Sequence, residues 1–194
     1  MRVVIVGPSG SGKSTLARRL SAAIDAPHVE LDVLNWGPAW LNRSVADPGE
    51  FTRRIEAAII GDQWITDGNY RAALALVLPR ATDLIWLDYP RRVVMPRVIH
   101  RSFVRALDRR ELWPGTGNRE AFRRWRDKEH PIRWAWDTFA RRRAQYEMLF
   151  ADARLAGIRK QRLRHPREAR TLEARLAAEA LFIPVTGSGR PARL

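Results

Sequence analysis

The stretch Gly7-Pro8-Ser9-Gly10-Ser11-Gly12-Lys13-Ser14-Thr15 decides the fold, and it follows the apolar run Val3-Val4-Ile5-Val6. A glycine, four residues, Gly-Lys and a hydroxyl, set between a strand and a helix, spell a phosphate-binding loop. Glycines let backbone N–H groups turn inward and approach phosphate oxygens that a Cβ would obstruct. On this reading Gly7, Ser9, Gly10, Ser11, Gly12, Lys13, Ser14 and Thr15 bind a nucleoside triphosphate. Lys13 reaches the β/γ-phosphates, Ser14 ligates Mg²⁺, and the helix opening near Ser14 adds its positive end. The strand in front argues against an incidental Gly/Ser-rich turn.

A chain of 194 residues suits one α/β domain with a real core and a small inserted subdomain. The absence of cysteine excludes disulfides, thiolate zinc sites and cysteine nucleophiles, and is compatible with a reducing cytoplasm. The first apolar run is short and leads straight into the glycine loop, and no segment has the length of a membrane span. The expectation is a soluble, cytoplasmic protein without a membrane partner.

A net charge of +14 admits nucleic acid as a partner through counterion release. No DNA- or RNA-binding motif accompanies it, however, and the only lysines are Lys13, Lys128 and Lys160. So strong a skew towards arginine, with abundant alanine, fits a GC-rich coding bias. The most basic stretch, 91–143, also supplies the guanidinium forks that polyphosphate handling needs.

Apolar runs bounded by turn residues predict five strands, at 2–6, 28–31, 64–66, 84–87 and 159–163. Helical patterns fill 13–23, 48–60, 90–109, much of 120–150, and 166–180. Such alternation argues a parallel sheet covered on both faces. Pro114, Gly115 and Gly117 make 111–119 a loop. Residues 1–183 read as one domain with a lid inserted at about 97–130, and 184–194 as a disordered tail.

Three acidic motifs fall where open α/β sheets bind ligands, beyond the C-terminal ends of strands. Asp32, in Glu30-Leu31-Asp32, either accepts a proton from a substrate hydroxyl and orients the acceptor, or is a helix cap. In Asp67-Gly68-Asn69-Tyr70-Arg71 the carboxylate holds a Mg²⁺ water and Arg71 grips an anion, or the motif is a plain Asp-Gly turn. Asp88, before Tyr89-Pro90, is a second metal-side carboxylate or a helix cap. Arg97, Arg101 and Arg105 share one helical face, and with Arg119 and Arg123 they form either a charge-neutralising lid or a solvated basic face. Trp36, Trp40, Trp113, Trp125, Trp134 and Trp136 either stack on a planar or apolar substrate or build the core of the helical layer.

Asp67-Gly68 with Arg71, and Asp88-x-Pro90 with Arg97 and Arg101, resemble the adenylate-kinase branch of P-loop kinases. Asn69-Tyr70 stands in place of that branch's Phe-Pro, and its Thr-Gly opening after the second strand is missing. Over about 1–175 the chain looks more like the bacterial DNA topology modulation proteins. The blocks that carry this likeness are the loop, Glu30-Leu31-Asp32, Trp36-Gly37-Pro38, Asp67-Gly68-Asn69-Tyr70, Trp86-Leu87-Asp88-Tyr89-Pro90, Arg109-Arg110-Glu111-Leu112-Trp113 and Gly117-Asn118-Arg119-Glu120.

These resemblances imply an α/β, P-loop NTPase fold with a five-stranded parallel sheet in the order 2-3-1-4-5, helices on both faces and a helical, arginine-rich lid. The loop, the acceptor-side carboxylates and the arginine-rich lid lead to the expectation of a phosphotransferase that uses ATP and Mg²⁺ on a small-molecule or nucleotide acceptor. Lys13, Asp32, Arg97, Arg101, Arg119 and Arg123 would be catalytic. Asp32, Trp36, Asp67, Asn69, Tyr70 and Arg71 would bind the acceptor, Ser14, Asp67 and Asp88 the metal, and Arg164 and His165 would lie against the nucleobase. An ATP-responsive DNA-associated regulator and a plain NTPase are the alternatives.

Overall fold

A computed structural model describes residues 1–127 and 130–181. The five strands are β1 (Arg2–Val6), β2 (His28–Glu30), β3 (Trp64–Asp67), β4 (Asp83–Leu87) and β5 (Arg159–Leu163). They form one sheet in the order β2-β3-β1-β4-β5, and every pairing is parallel. The predicted sheet is therefore present, with strand ends shifted by one residue at most. The tail expected at 184–194 lies outside the described residues.

The helices are α1 (Lys13–Ile24), α2 (Leu31–Asn35), α3 (Arg43–Ala46), α4 (Pro48–Ala58), α5 (Arg71–Val77), α6 (Arg91–Asp108), α7 (Pro131–Ala151) and α8 (Pro166–Leu181). Alternation along the strands sends side chains to two cores. Val3 and Ile5 of β1 pack with α1, α6 and α8 through Leu20, Val98 and Leu176. Val4 and Val6 face the other way, onto Phe51 and Ile55 of α4 and Val77 of α5. Helix α7 joins both layers, with Ala135 in the first and Tyr146 in the second.

The helix expected over much of 120–150 is a 3₁₀ segment, Phe122–Arg126, followed by α7. Pro131 explains the restart: it lacks an N–H and suits a first turn, and the His130 ring caps the new helix by accepting from the Ile132 N–H. The short helices α2, α3 and α5 have no counterpart in the sequence pattern, since four to seven residues are too few to show a period. Among the described residues no helix is long and apolar enough to cross a membrane.

Candidate active site

The loop 7–12 joins β1 to α1 at the C-terminal edge of the sheet. Gly12 caps α1 at φ 96° with no side-chain cap, so the first-turn N–H groups of α1 stay open to an anion. A Cβ on Gly12 would meet open space, whereas one on Gly10 (φ +81°) would strike Val98 of α6. Gly10 thus lets α6 close against the loop, and Gly12 keeps the ligand side bare.

In front of the loop lies a cavity of about 580 Å³, a size that admits a nucleotide. Lys13, Arg97, Arg101 and Arg105 line it together with the Ser14 hydroxyl and Glu30. Lys13 Nζ folds back to donate to the Gly7 and Pro8 carbonyls at 3.0 and 3.1 Å. Burial holds the Lys13 ammonium below its usual range, opposed by the charges of Asp67 and Asp32. Arg101 donates from an Nη to Ser9 Oγ at 3.0 Å, which places an α6 guanidinium on the loop itself. Its Nε and Ser11 Oγ are buried without a hydrogen-bond partner. Orphaned polar atoms of this kind beside a cationic cavity fit a polyanionic ligand.

The Ser14 hydroxyl donates to Asp67 Oδ2 at 2.5 Å, and the other Asp67 oxygen meets His28 Nε2 at 2.7 Å. Burial works to raise the Asp67 carboxyl, but the His28 and Ser14 hydrogen bonds and the Lys13 charge overcome it and hold the group ionised below its usual range. A hydroxyl and a carboxylate meeting beside a phosphate loop are the hard oxygen donors that Mg²⁺ takes while keeping its waters. Glu30 is paired in register with Asp67, and burial plus the charges of Asp67 and Asp32 raise its carboxyl.

Asp88 requires a correction. Its carboxylate accepts from Arg143 at 2.9 and 3.2 Å and from Arg162 at 2.7 and 2.9 Å. Both oxygens are bound by guanidinium, so the group ties β4 to α7 and β5 as an ion-pair anchor rather than serving as a metal ligand. Arg119 and Arg123 are exposed and do not line the cavity, because the 111–127 segment turns them outward. Arg164 and His165 do not line it either. They serve the start of α8, where the Arg164 N–H donates to Glu168 and His165 Nδ1 accepts from the Arg167 N–H. The cavity wall at that end is instead Pro166, Ala169 and Arg170 of α8.

On the other side of the loop the Tyr70 hydroxyl donates to Asp32 Oδ1 at 2.6 Å. Asn69 Nδ2 donates to the Gly7 carbonyl at 2.9 Å, and the Tyr146 hydroxyl donates to Asn69 Oδ1 at 2.6 Å. Arg71 is exposed at the start of α5. Trp36 stacks on Trp113 at 5.4 Å, and Trp40 meets both edge-on. Asn118 completes this clasp by donating to the Gly37 carbonyl at 2.8 Å and accepting from the Trp40 N–H at 2.9 Å. The 111–119 loop is thereby seated on the segment after α2.

His28 was missed by sequence reasoning. The only signal is its place two residues before Glu30, and its partner Asp67 comes from a neighbouring strand.

No family profile and no curated protein matches the chain. Solved structures do resemble it. Shikimate kinase from Acinetobacter baumannii in complex with shikimate superposes at TM-score 0.50 and 15% identity over 92% of each chain. A gluconokinase from Sinorhizobium meliloti gives 0.48 and 17% over 93% of this chain and 95% of that one. A sugar kinase from Janibacter sp. gives 0.46 and 18%, over 92% and 91%. At 15% identity the likeness to the shikimate kinase speaks to fold alone, an α/β fold with a five-stranded parallel sheet.

Proposed function

We propose that the protein is a Mg²⁺- and ATP-dependent phosphotransferase acting on a small-molecule acceptor. One observation carries this reading. A complete phosphate loop faces a cavity into which α6 sends Arg97, Arg101 and Arg105, while the Ser14–Asp67 pair sits on the metal side. Phosphoryl transfer asks the protein mainly to position groups and to neutralise charge, and this arrangement supplies both. The fold shared with the acceptor-bound shikimate kinase is consistent with it.

Lys13 and Arg101 would bear on the transferring phosphoryl group, Arg97 and Arg105 on the remaining phosphates. Mg²⁺, when bound by Ser14 Oγ and through water by Asp67, would offset charge on the β- and γ-oxygens. His28 orients Asp67 for that task. Asp32, fixed by Tyr70 and acting on the charge of Lys13, would accept the acceptor's hydroxyl proton. The clasp of Trp36, Trp113 and Asn118 would help to exclude water by covering the acceptor side, which a kinase needs and a plain NTPase does not. The test is a metabolite panel incubated with labelled ATP and read by mass shift. A phosphorylated product supports the reading, and ATP hydrolysis that no acceptor diverts refutes it.

A further inference from the structure

The phosphate loop holds one peptide that needs support from outside the loop, and its support bears on Lys13. The Gly7 carbonyl belongs to the peptide joined to Pro8, whose nitrogen carries no hydrogen, so hydrogen bonding can fix that peptide's orientation only at the oxygen. Lys13 Nζ donates to this carbonyl at 3.0 Å and to the Pro8 carbonyl at 3.1 Å, which leaves one of its three N–H bonds for a phosphate. The Gly7 oxygen also accepts from Asn69 Nδ2 at 2.9 Å. Strands β1 and β3 pair with Ile5 opposite Asp67, so Gly7 and Asn69, each two residues further on, come level beyond the strand ends.

Asn69 is itself held from α7. A carbonyl only accepts, so the amide turns its nitrogen to Gly7 and its oxygen to Tyr146, whose hydroxyl donates at 2.6 Å. Arg142 donates from an Nη to the Asn69 main-chain carbonyl at 3.0 Å. Both polar ends of the Asn69 side chain therefore engage the protein. Arg142 and Tyr146 lie one turn apart on α7, so a single helix face fixes the residue. We propose that Asn69 is a positioning residue for Lys13: it fixes the Gly7 carbonyl, the carbonyl seats the ammonium, and the remaining N–H of the ammonium is aimed at the transferring phosphoryl group. The last link rests on the phosphotransferase reading, and the first two do not.

Asn69→Leu keeps the bulk of the side chain and removes both of its hydrogen bonds. Lys13, Lys128 and Lys160 are the only lysines, and Lys160 also donates to two carbonyls, those of Phe150 at 2.8 Å and Asp152 at 3.1 Å, which makes it an internal reference. The full chain is treated briefly with acetic anhydride, and acetylation of Lys13 and Lys160 is read by peptide mass spectrometry. In Asn69→Leu the labelling of Lys13 relative to Lys160 should rise about fivefold. The kcat for ATP turnover with Mg²⁺ should fall at least about tenfold, with the KM for ATP changed less. Tyr146→Phe, which removes only the donor to Asn69, should shift both readings in the same direction by about twofold, and it decides the matter if Asn69→Leu lacks a cooperative thermal melt. An unchanged labelling ratio, or an unchanged kcat, overturns the proposal and leaves the phosphotransferase reading intact. A wild-type chain that turns over no ATP removes that reading and the last link with it, while the labelling ratio still decides whether Asn69 seats Lys13.

Discussion

Tyr146→Phe isolates a single hydroxyl that ties α7 to the phosphate loop. In the wild type this hydroxyl donates to Asn69 Oδ1 at 2.6 Å, and Asn69 in turn donates to the Gly7 carbonyl at 2.9 Å. The tyrosine is 2% exposed, and burial pushes its hydroxyl up to about 12, so it is a donor throughout the neutral range. Phenylalanine keeps the ring against Trp86 at 5.8 Å and leaves the amide oxygen without this donor. Losing one net hydrogen bond and stranding a half-buried acceptor costs about 1–2 kcal/mol. For a chain of this size that is a fall in Tm of about 2–8 °C. Urea denaturation at pH 7 measures the free energy directly. A loss below about 0.5 kcal/mol would show that the Tyr146–Asn69–Gly7 chain does not brace the loop.

Three more substitutions probe the same geometry. Glu30 is held above its usual range by burial, Asp67 and Asp32, so its folded-state preference for a proton stabilises fully below about pH 4.3 and is lost as pH rises through the folded value. Glu30→Gln should therefore be more stable than wild type at pH 7 and not at pH 4, as read by denaturation at both. Asn118→Ala removes both side-chain bonds of the clasp and should weaken it by about 2 kcal/mol, measurable as faster proteolysis within 111–119. Arg101→Met removes the guanidinium on the loop and should lower kcat at least about a hundredfold with a smaller effect on the KM for ATP, in steady-state assays.

The phosphate loop of the candidate site was legible in the chain because it is contiguous. The glycines, Lys13 and Ser14 sit within nine residues whose spacing is itself the signal, and β1 declares its ends through an apolar run that stops at the glycine loop. Partnerships across the sheet were not legible. His28 reaches Asp67 only because β2 and β3 pair in one particular register, which no local pattern reports. Asp88 read as a metal ligand for the same reason: its place after β4 is visible in sequence, but Arg143 and Arg162 arrive from α7 and β5. The aromatic clasp joins Trp36 to Trp113, far apart along the chain. Composition could nominate those tryptophans but could not pair them.

In the proposed reaction Lys13 and its loop bind ATP and assist transfer of the γ-phosphoryl group. Single-turnover release of labelled γ-phosphoryl from ATP, in wild type and in Lys13→Met, tests it most directly. The expected result is a loss of at least about a hundredfold in a variant with an unchanged circular dichroism spectrum. A folded Lys13→Met protein that turns over ATP at the wild-type rate would contradict it.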